Sequence, residues 1–435
     1  MNNMRTGFVS LLLVLASSLL AQDFFDDFED TATLPYELNG FIRGVLFSGK
    51  VPDEDRAELK SAYGELGLKM RVRKGDWSDG FAEVRFRRGS EFGGPVSEFN
   101  IREAYVNMYK GNLDLRLGHQ IVVWGRADGF NPTNNITPQN MLARSTDEDD
   151  RREGNFLMRA FYYLNPVSME LIWVPQYNPS VLPIGLFPFP DDVTLGETVN
   201  PDANLENGSI ALKTNLETSQ MEGSVSYFRG YMPMPGIDIT DLELVDDGFV
   251  VTVSPTAYQM QVIGADFSTS IGSFGLRGEA AYRIPVEDHE EEVYVPNPDV
   301  QWVLGADRSV GDFSIIAQYI GRYVMDFEPF ESTGWAYDEL ILKNRMIASQ
   351  LDEISHAAFA RPTLAMNHET MSLECLAYYC ITTEELLIRP SLTVDVADAL
   401  ELRIGGEWYS GPENTLFGSI EEPLSSAFVE FKASF

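Results

Sequence analysis

Ser425-Ser426-Ala427-Phe428-Val429-Glu430-Phe431-Lys432-Ala433-Ser434-Phe435 is the stretch that decides the fold. Ala427, Val429, Phe431, Ala433 and Phe435 alternate with Phe428, Glu430, Lys432 and Ser434, and the chain stops on the aromatic. Side chains on a strand alternate between two faces, so this segment presents one lipid-compatible face and one mostly wet face.

Read upstream, the chain yields about eighteen segments with the same alternation, an even number, as closed bacterial barrels have. They fall near 37–50, 57–73, 77–87, 98–109, 112–121, 153–165, 168–177, 206–216, 219–232, 256–270, 273–285, 298–308, 312–325, 356–367, 370–380, 385–396, 399–410 and 425–435. The expected fold is all-β: a transmembrane antiparallel β-barrel of about eighteen strands, sixteen being the alternative, over residues 37–435. The last strand also resembles the C-terminal strand that the outer-membrane assembly machinery of Gram-negative bacteria recognises. Its expected partners are that machinery, the outer-membrane lipids and lipopolysaccharide, and a small-molecule solute.

The other end points to the same compartment. Met1 to Arg5 holds one positive side chain, Gly7 to Leu20 is mostly apolar, and Ala21 is a small residue before Gln22, which together read as a secretory signal peptide over 1–21. A periplasmic segment over 22–36 would follow. No Cys follows the apolar run, which argues against a lipid anchor, and the run is short for a bilayer-spanning helix. No other segment has the length and apolarity of such a helix, so a membrane form must be a closed barrel, in which every backbone amide is paired. The expected location is the outer membrane.

At 435 residues with 12% aromatic side chains, length alone would also allow two to three soluble domains; the alternation decides against them. The net charge of -34 argues against nucleic acid or an anionic membrane surface as a partner, since both call for basic patches. Acidic outward loops are the expected source of that charge. Cys375 and Cys380 stand five positions apart in one expected strand, so they point to opposite faces, and a disulfide requires a break before Cys380.

The links between segments sort into two kinds. Tight ones occur at Lys74-Gly75-Asp76, Lys110-Gly111, Asn165-Pro166-Val167, Glu217-Thr218, Ile271-Gly272, Ser309-Val310-Gly311, His368-Glu369 and Ala397-Asp398, most with a turn-forming Gly, Pro, Asn or Asp. Longer ones occur near 51–56, 88–97, 122–152, 178–205, 233–255, 286–297, 326–355 and 411–424, and only the link near 381–384 is short where a long one is due. This alternation fits short periplasmic turns and long outer loops.

Strand faces say what the barrel encloses. Leu66, Leu68, Met70 and Val72 alternate with Gly67, Lys69, Arg71 and Arg73; Ala82, Val84 and Phe86 with Phe81, Glu83, Arg85 and Arg87; Leu113, Leu115 and Leu117 with Asp114, Arg116 and Gly118. A midplane Arg or Lys facing lipid costs roughly 2–4 kcal/mol, so the charged sets are expected to face a lumen with a basic N-terminal wall. Later strands are mixed, with Arg277, Glu279 and Arg283 on one face and Glu401, Arg403 and Glu407 on another; such ladders commonly satisfy one another across strands.

Three loops stand out. Trp124-Gly125-Arg126-Ala127-Asp128, then Asn131-Pro132, suggests a fixed bend, and an inward fold of residues 122–152 would place Trp124, Arg126 and Asp128 with Lys69, Arg71, Arg73, Arg85, Arg87 and Arg116 at a constriction. An ordered surface loop is the alternative. The stretches Val181 to Pro190, Met232 to Ile237 and Phe249-Val250-Val251 are apolar where an outer loop should be polar, marking either a mouth that captures hydrophobic molecules or loops packed on one another. A short amphipathic helix is expected over 338–352.

Catalysis finds little support: His119, His289, His356 and His368 are the only histidines, and none lies in a G-x-S-x-G or H-E-x-x-H context. The acidic runs Asp147-Glu148-Asp149-Asp150 and Glu287 to Glu292 lack the spacing of a calcium loop and read as solvated surface. No catalytic residue, cofactor or metal is expected.

Gly118-His119-Gln120-Ile121-Val122-Val123-Trp124-Gly125, with Asn131-Pro132, resembles the Gram-negative outer-membrane family known as domain of unknown function 1302, although that family carries Arg where His119 stands. Arg389-Pro390-Ser391-Leu392, Gly405 to Gly411, Leu416-Phe417-Gly418 and Phe435 are similar to it too. The resemblance implies a large barrel and involvement with hydrophobic compounds, and brings no catalytic residues. The expected function is a channel for a hydrophobic or amphipathic small molecule. The alternatives are a general diffusion porin for polar solutes and a structural or export-partner barrel.

Overall fold

The computed structural model describes residues 36–50, 56–186, 192–245, 248–331 and 336–435; the expected signal peptide and residues 22–35 lie outside them. Eighteen strands make one sheet: β1 (Tyr36–Lys50), β2 (Ala57–Lys74), β3 (Ser78–Glu91), β4 (Gly94–Lys110), β5 (Leu113–Gln120), β6 (Asn155–Leu164), β7 (Val167–Val174), β8 (Ser209–Glu217), β9 (Met221–Tyr231), β10 (Gln259–Ile271), β11 (Phe274–Pro285), β12 (Asp299–Val310), β13 (Phe313–Val324), β14 (Ile354–Met366), β15 (Met371–Cys380), β16 (Glu385–Ala397), β17 (Leu400–Ser410) and β18 (Ser426–Ser434). Each strand pairs with the next, and β1 pairs antiparallel with β18, so the sheet closes and has no free edge. Gly40 and Phe435 exchange backbone hydrogen bonds of 2.8 and 2.9 Å at the seam. Eighteen strands stand where eighteen were expected, and sixteen is excluded.

The two faces are inverted relative to a soluble protein. Ile42 and Leu46 of β1, Val225 of β9, Leu304 of β12 and Phe431 of β18 are exposed, whereas Arg43, Glu65, Glu279, Glu407 and Glu430 are buried. Only a wall with hydrocarbon outside and partners inside makes that arrangement stable. Register carries the expected parity: Lys69 lies opposite Glu83, Arg71 opposite Phe81 and Arg73 opposite Asp79, on the face away from Leu68 and Val84. Asn107 lies opposite both Asp79 and Arg116, so Arg116 shares that inner face while Leu115 does not. A bulge at Glu83/Val84 leaves Arg102 unpaired in the ladder, and its guanidinium also turns inward.

Most tight links fall as expected. Gly111 (φ 61°) and Gly272 (φ 62°) take the left-handed conformation that a two-residue turn demands and a Cβ disfavours. Residues 88–97 are a correction: β3 runs to Glu91 and β4 starts at Gly94, leaving Phe92-Gly93 as a tight turn. Gly93-Gly94-Pro95 carries loop composition, yet Pro is tolerated in the first residues of a strand. A second correction is the outer loop after β9, which contains the paired strands Gly236–Val245 and Gly248–Thr256, joined in parallel by Val193–Leu195. The expected helix is α1 (Ala336–Ala348). An unforeseen one, α2 (Leu416–Leu424), is capped by the Thr415 hydroxyl, which accepts from the Gly418 amide at 3.2 Å. β15 is unbroken through Cys375 and Cys380, so the two thiols lie on opposite faces.

Leu182 and Ile184 from the loop after β7, Ile237 and Val253 from the hairpin, Leu340 of α1, and Ile420 and Leu424 of α2 form one core above the strands. The apolar outer stretches are therefore packed on one another within the described residues, and their chemistry is spent on covering the mouth.

Candidate functional site

The link between β5 and β6, residues 121–154, bonds with inner-face side chains on strands all round the sheet. A connection of one chain can touch a closed barrel on opposite walls only by passing through its interior. Its first lobe, residues 121–137, is clasped at the base, where Val122 donates its amide to the Thr137 hydroxyl at 2.8 Å and that hydroxyl donates to the Val122 carbonyl at 2.6 Å. Trp124 is buried with Val122, Ile136, Leu157, Ile172, Phe228 and Met260, and its indole N–H donates to Glu170 at 3.1 Å. Arg126 pairs with Asp266 of β10 at 2.7 Å and Glu222 of β9 at 2.5 Å. Asp128 accepts from Arg277 of β11 at 2.7 Å, and Arg277 also holds Asp307 of β12 at 2.7 Å.

Glu279 of β11 fixes the bend in this lobe. One carboxylate oxygen accepts from the Thr133 amide and hydroxyl, both at 2.8 Å, and the other from the Arg126 amide at 3.0 Å. Gly125 has φ 97°, and a Cβ there would stand 2.4 Å from that carboxylate, so only glycine lets the backbone approach this closely.

The second lobe, residues 138–153, runs along the opposite wall. Arg144 is buried, 2.5 Å from the Glu407 carboxylate of β17, and donates to the Leu424 carbonyl at 2.9 Å and to the Ser426 hydroxyl. Asp150 lies 2.7 Å from Arg43 of β1 and 2.6 Å from Arg85 of β3. Burial alone would raise the Asp150 carboxyl, but Arg43 and Arg85 outweigh it and hold it below the usual carboxylate range. Arg389 of β16 donates to the Ser145 carbonyl at 2.7 Å, and Arg361 of β14 to Glu148 at 2.8 Å. A small polar niche of about 30 Å³ lies between this lobe and β2–β4, lined in part by Glu65, Arg87, Glu98, Arg102 and Glu153.

Of the residues singled out from the sequence, Trp124, Arg126, Asp128 and Arg85 meet in contacts between the loop and the wall. Arg87 reaches the cluster through Glu65 at 2.8 Å, which Arg43 shares at 2.7 Å, and stacks 4.2 Å from the Tyr63 ring centre. Lys69 and Arg71 stand nearer the turn end, half exposed, at 3.5 Å from Glu83 and 3.7 Å from Asp79. Arg116 donates to Asn107 at 2.6 Å and lies 4.3 Å over Tyr105, and Arg73 occupies the same face. The acidic run is solvated as expected at Asp147, Glu148 and Asp149, the last two pairing with Arg361 and Arg152, and departs from that expectation at Asp150, whose side chain is buried. Arg43, Glu65, Arg144 and Asp266 went unremarked in the sequence. Arg43 between Phe41 and Val45 on one strand face was the available signal.

The fold is similar to solved bacterial structures at low identity. OccAB3 of Acinetobacter baumannii superposes with a TM-score of 0.55 at 10% identity, over 93% of this chain and 100% of that one. A BenF-like porin from Pseudomonas fluorescens Pf-5 gives 0.54 at 9%, over 92% and 98%, and OccK5 (OpdH) of Pseudomonas aeruginosa gives 0.52 at 10%, over 92% and 97%. No family model matches the chain, so the likeness to domain of unknown function 1302 rests on local stretches alone. No curated protein matches it either. The chain has the closed eighteen-stranded antiparallel barrel fold of these solved structures.

Proposed function

We propose that the protein is a solute channel narrowed by residues 121–154 and passing small polar or amphipathic molecules that carry charge. One observation carries this reading: a single loop bonds with inner-face charges from β1 round to β17, so that a solute passing beside it would meet paired arginines and carboxylates. Lys69, Arg71, Arg73 and Arg116 below the loop supply a basic flank, and Arg85, Arg87, Trp124, Arg126 and Asp128 form the narrow part. Charges left half exposed in such a lumen orient a dipolar solute and exclude neutral apolar ones by the cost of stripping their own hydration. A purely hydrophobic cargo is disfavoured because Leu182, Ile184, Ile237 and Val253, the outer apolar residues that would receive it, are buried against one another. The likeness in fold to a BenF-like porin supports transport as the class of function. Excising residues 126–148 should raise single-channel conductance in planar bilayers and weaken discrimination among charged solutes. Conductance and selectivity identical to the intact protein would refute it.

A further inference from the structure

The two lobes of the internal loop reach β14 from opposite directions and end on neighbouring residues of one strand face. From the first lobe, Ala127 and Phe130 pack into the cluster that contains Phe359, and Gly129 lies so close that a Cβ would stand 2.7 Å from the Phe359 ring. From the second, Glu148 pairs with Arg361, two positions along. Resting on the channel reading above, we infer that the Glu148–Arg361 contact is where the loop parts from the wall to admit a solute.

Energetic contrast along the loop supports this seam. Side chains of Arg43 and Asp150 are 3% and 5% exposed, and those of Arg144 and Glu407 2% and 1%, so separating either pair strands a charge away from water. Arg361 and Glu148 are 22% and 42% exposed, and an ion pair so open to water is weak and screened by salt. Opening the pair leaves Glu148 with a second partner and turns Arg361, 22% exposed, to water. Glu148 keeps Arg389 at 3.4 Å through its other oxygen, and the Arg361 guanidinium rests 5.5 Å over the Phe359 ring. On the other side of the seam the only directional bond given to Gly129 is its amide donation to Gln318 at 3.2 Å. The remaining contact there is apolar and free to slide.

Single-channel recording of the intact protein, E148Q, R361Q and the double variant E148Q/R361Q tests the inference. A parting contact predicts that both single variants raise open-state occupancy in the same direction, about two- to five-fold, the size of one half-exposed pair. In the double variant E148Q/R361Q the two effects should not add, and 1 M salt should lift the parent to the level of the single variants. If E148Q and R361Q leave open and closed times unchanged and shift cation against anion preference in opposite senses, they are fixed charges in the path and the inference falls. If neither the parent nor the loop-excised protein conducts, the channel reading itself falls and takes this one with it.

Discussion

Glu279→Gln should release the first lobe of the internal loop while leaving the barrel intact. The substitution keeps the shape of the side chain and so creates no cavity, but it removes the charge and replaces one oxygen with an N–H₂ donor. At present the carboxylate accepts four hydrogen bonds, two from Thr133 on one oxygen and two, from the Arg126 and Ala127 amides, on the other, and the side chain is buried. Hydrogen bonds to a charged acceptor are worth about 1.5–3 kcal/mol and neutral ones about 1, so the two Thr133 bonds together lose roughly 1–3 kcal/mol. The Arg126 amide would meet a donor, adding about 1–3 kcal/mol for an unmade bond. The sum, about 2–6 kcal/mol, raises the released population of the lobe by roughly one and a half to four powers of ten, since about 1.4 kcal/mol is a factor of ten. Glu222→Gln is the internal comparison. That residue also holds Arg126, at 2.5 Å, but its side chain is 52% exposed, so its loss should cost no more than about 1 kcal/mol. Hydrogen exchange followed by mass spectrometry over residues 124–134 reads the effect directly. Equal protection in the Glu279→Gln and Glu222→Gln proteins would refute the argument that burial, not the presence of a carboxylate, anchors the bend.

Three further outcomes follow from the same geometry. In a background without Cys375 and Cys380, Arg116→Cys should react with a water-soluble maleimide in intact membranes while Leu115→Cys should not; the reverse would put the register one residue out. Deleting Phe435 removes the paired bonds to Gly40 that close the sheet and the ring that packs over Gly40, so secretion should persist while heat-modifiable barrel fails to accumulate in the outer membrane. Asp150 has its folded ionisation held below the ordinary range, so its contribution is complete above about pH 4, the unfolded value, and is lost only as pH falls below it. Exchange protection of residues 144–151 should therefore be the same at pH 7 and pH 5, and Asp150→Asn should lower it at both.

The barrel was legible because its signal is local. Alternation along a strand such as Leu66 to Arg73 is set by where each side chain points, and the cost of a charge in lipid fixes the faces without knowledge of any partner. The bend at Trp124-Gly125-Arg126 was legible for the same reason, as Gly and Asn-Pro restrict the backbone wherever they stand. What holds that bend was not legible, because Arg126 finds Asp266 and Thr133 finds Glu279 well over a hundred residues away, and no period or spacing encodes such a pairing. Arg277, Glu279 and Glu407 look, in one dimension, like members of a ladder satisfied across strands; Arg277 does pair across strands with Asp307 and also holds Asp128 of the loop, while Glu279 and Glu407 receive the loop. The apolar outer stretches left two readings open, a capturing mouth or loops packed on one another, and composition alone could not choose; the fold packs Leu182, Ile184, Ile237 and Val253 together. The charge balance has the same lesson. A net charge of -34 suggests acid spread over outer loops, yet Glu65, Asp150, Asp266, Glu279, Glu407 and Glu430 are buried inside the barrel as acceptors for arginines and loop amides. Buried carboxylates are stable only where their partners are fixed, so these six, a small part of the 66 acidic residues, hold the internal loop and the wall around it in one place.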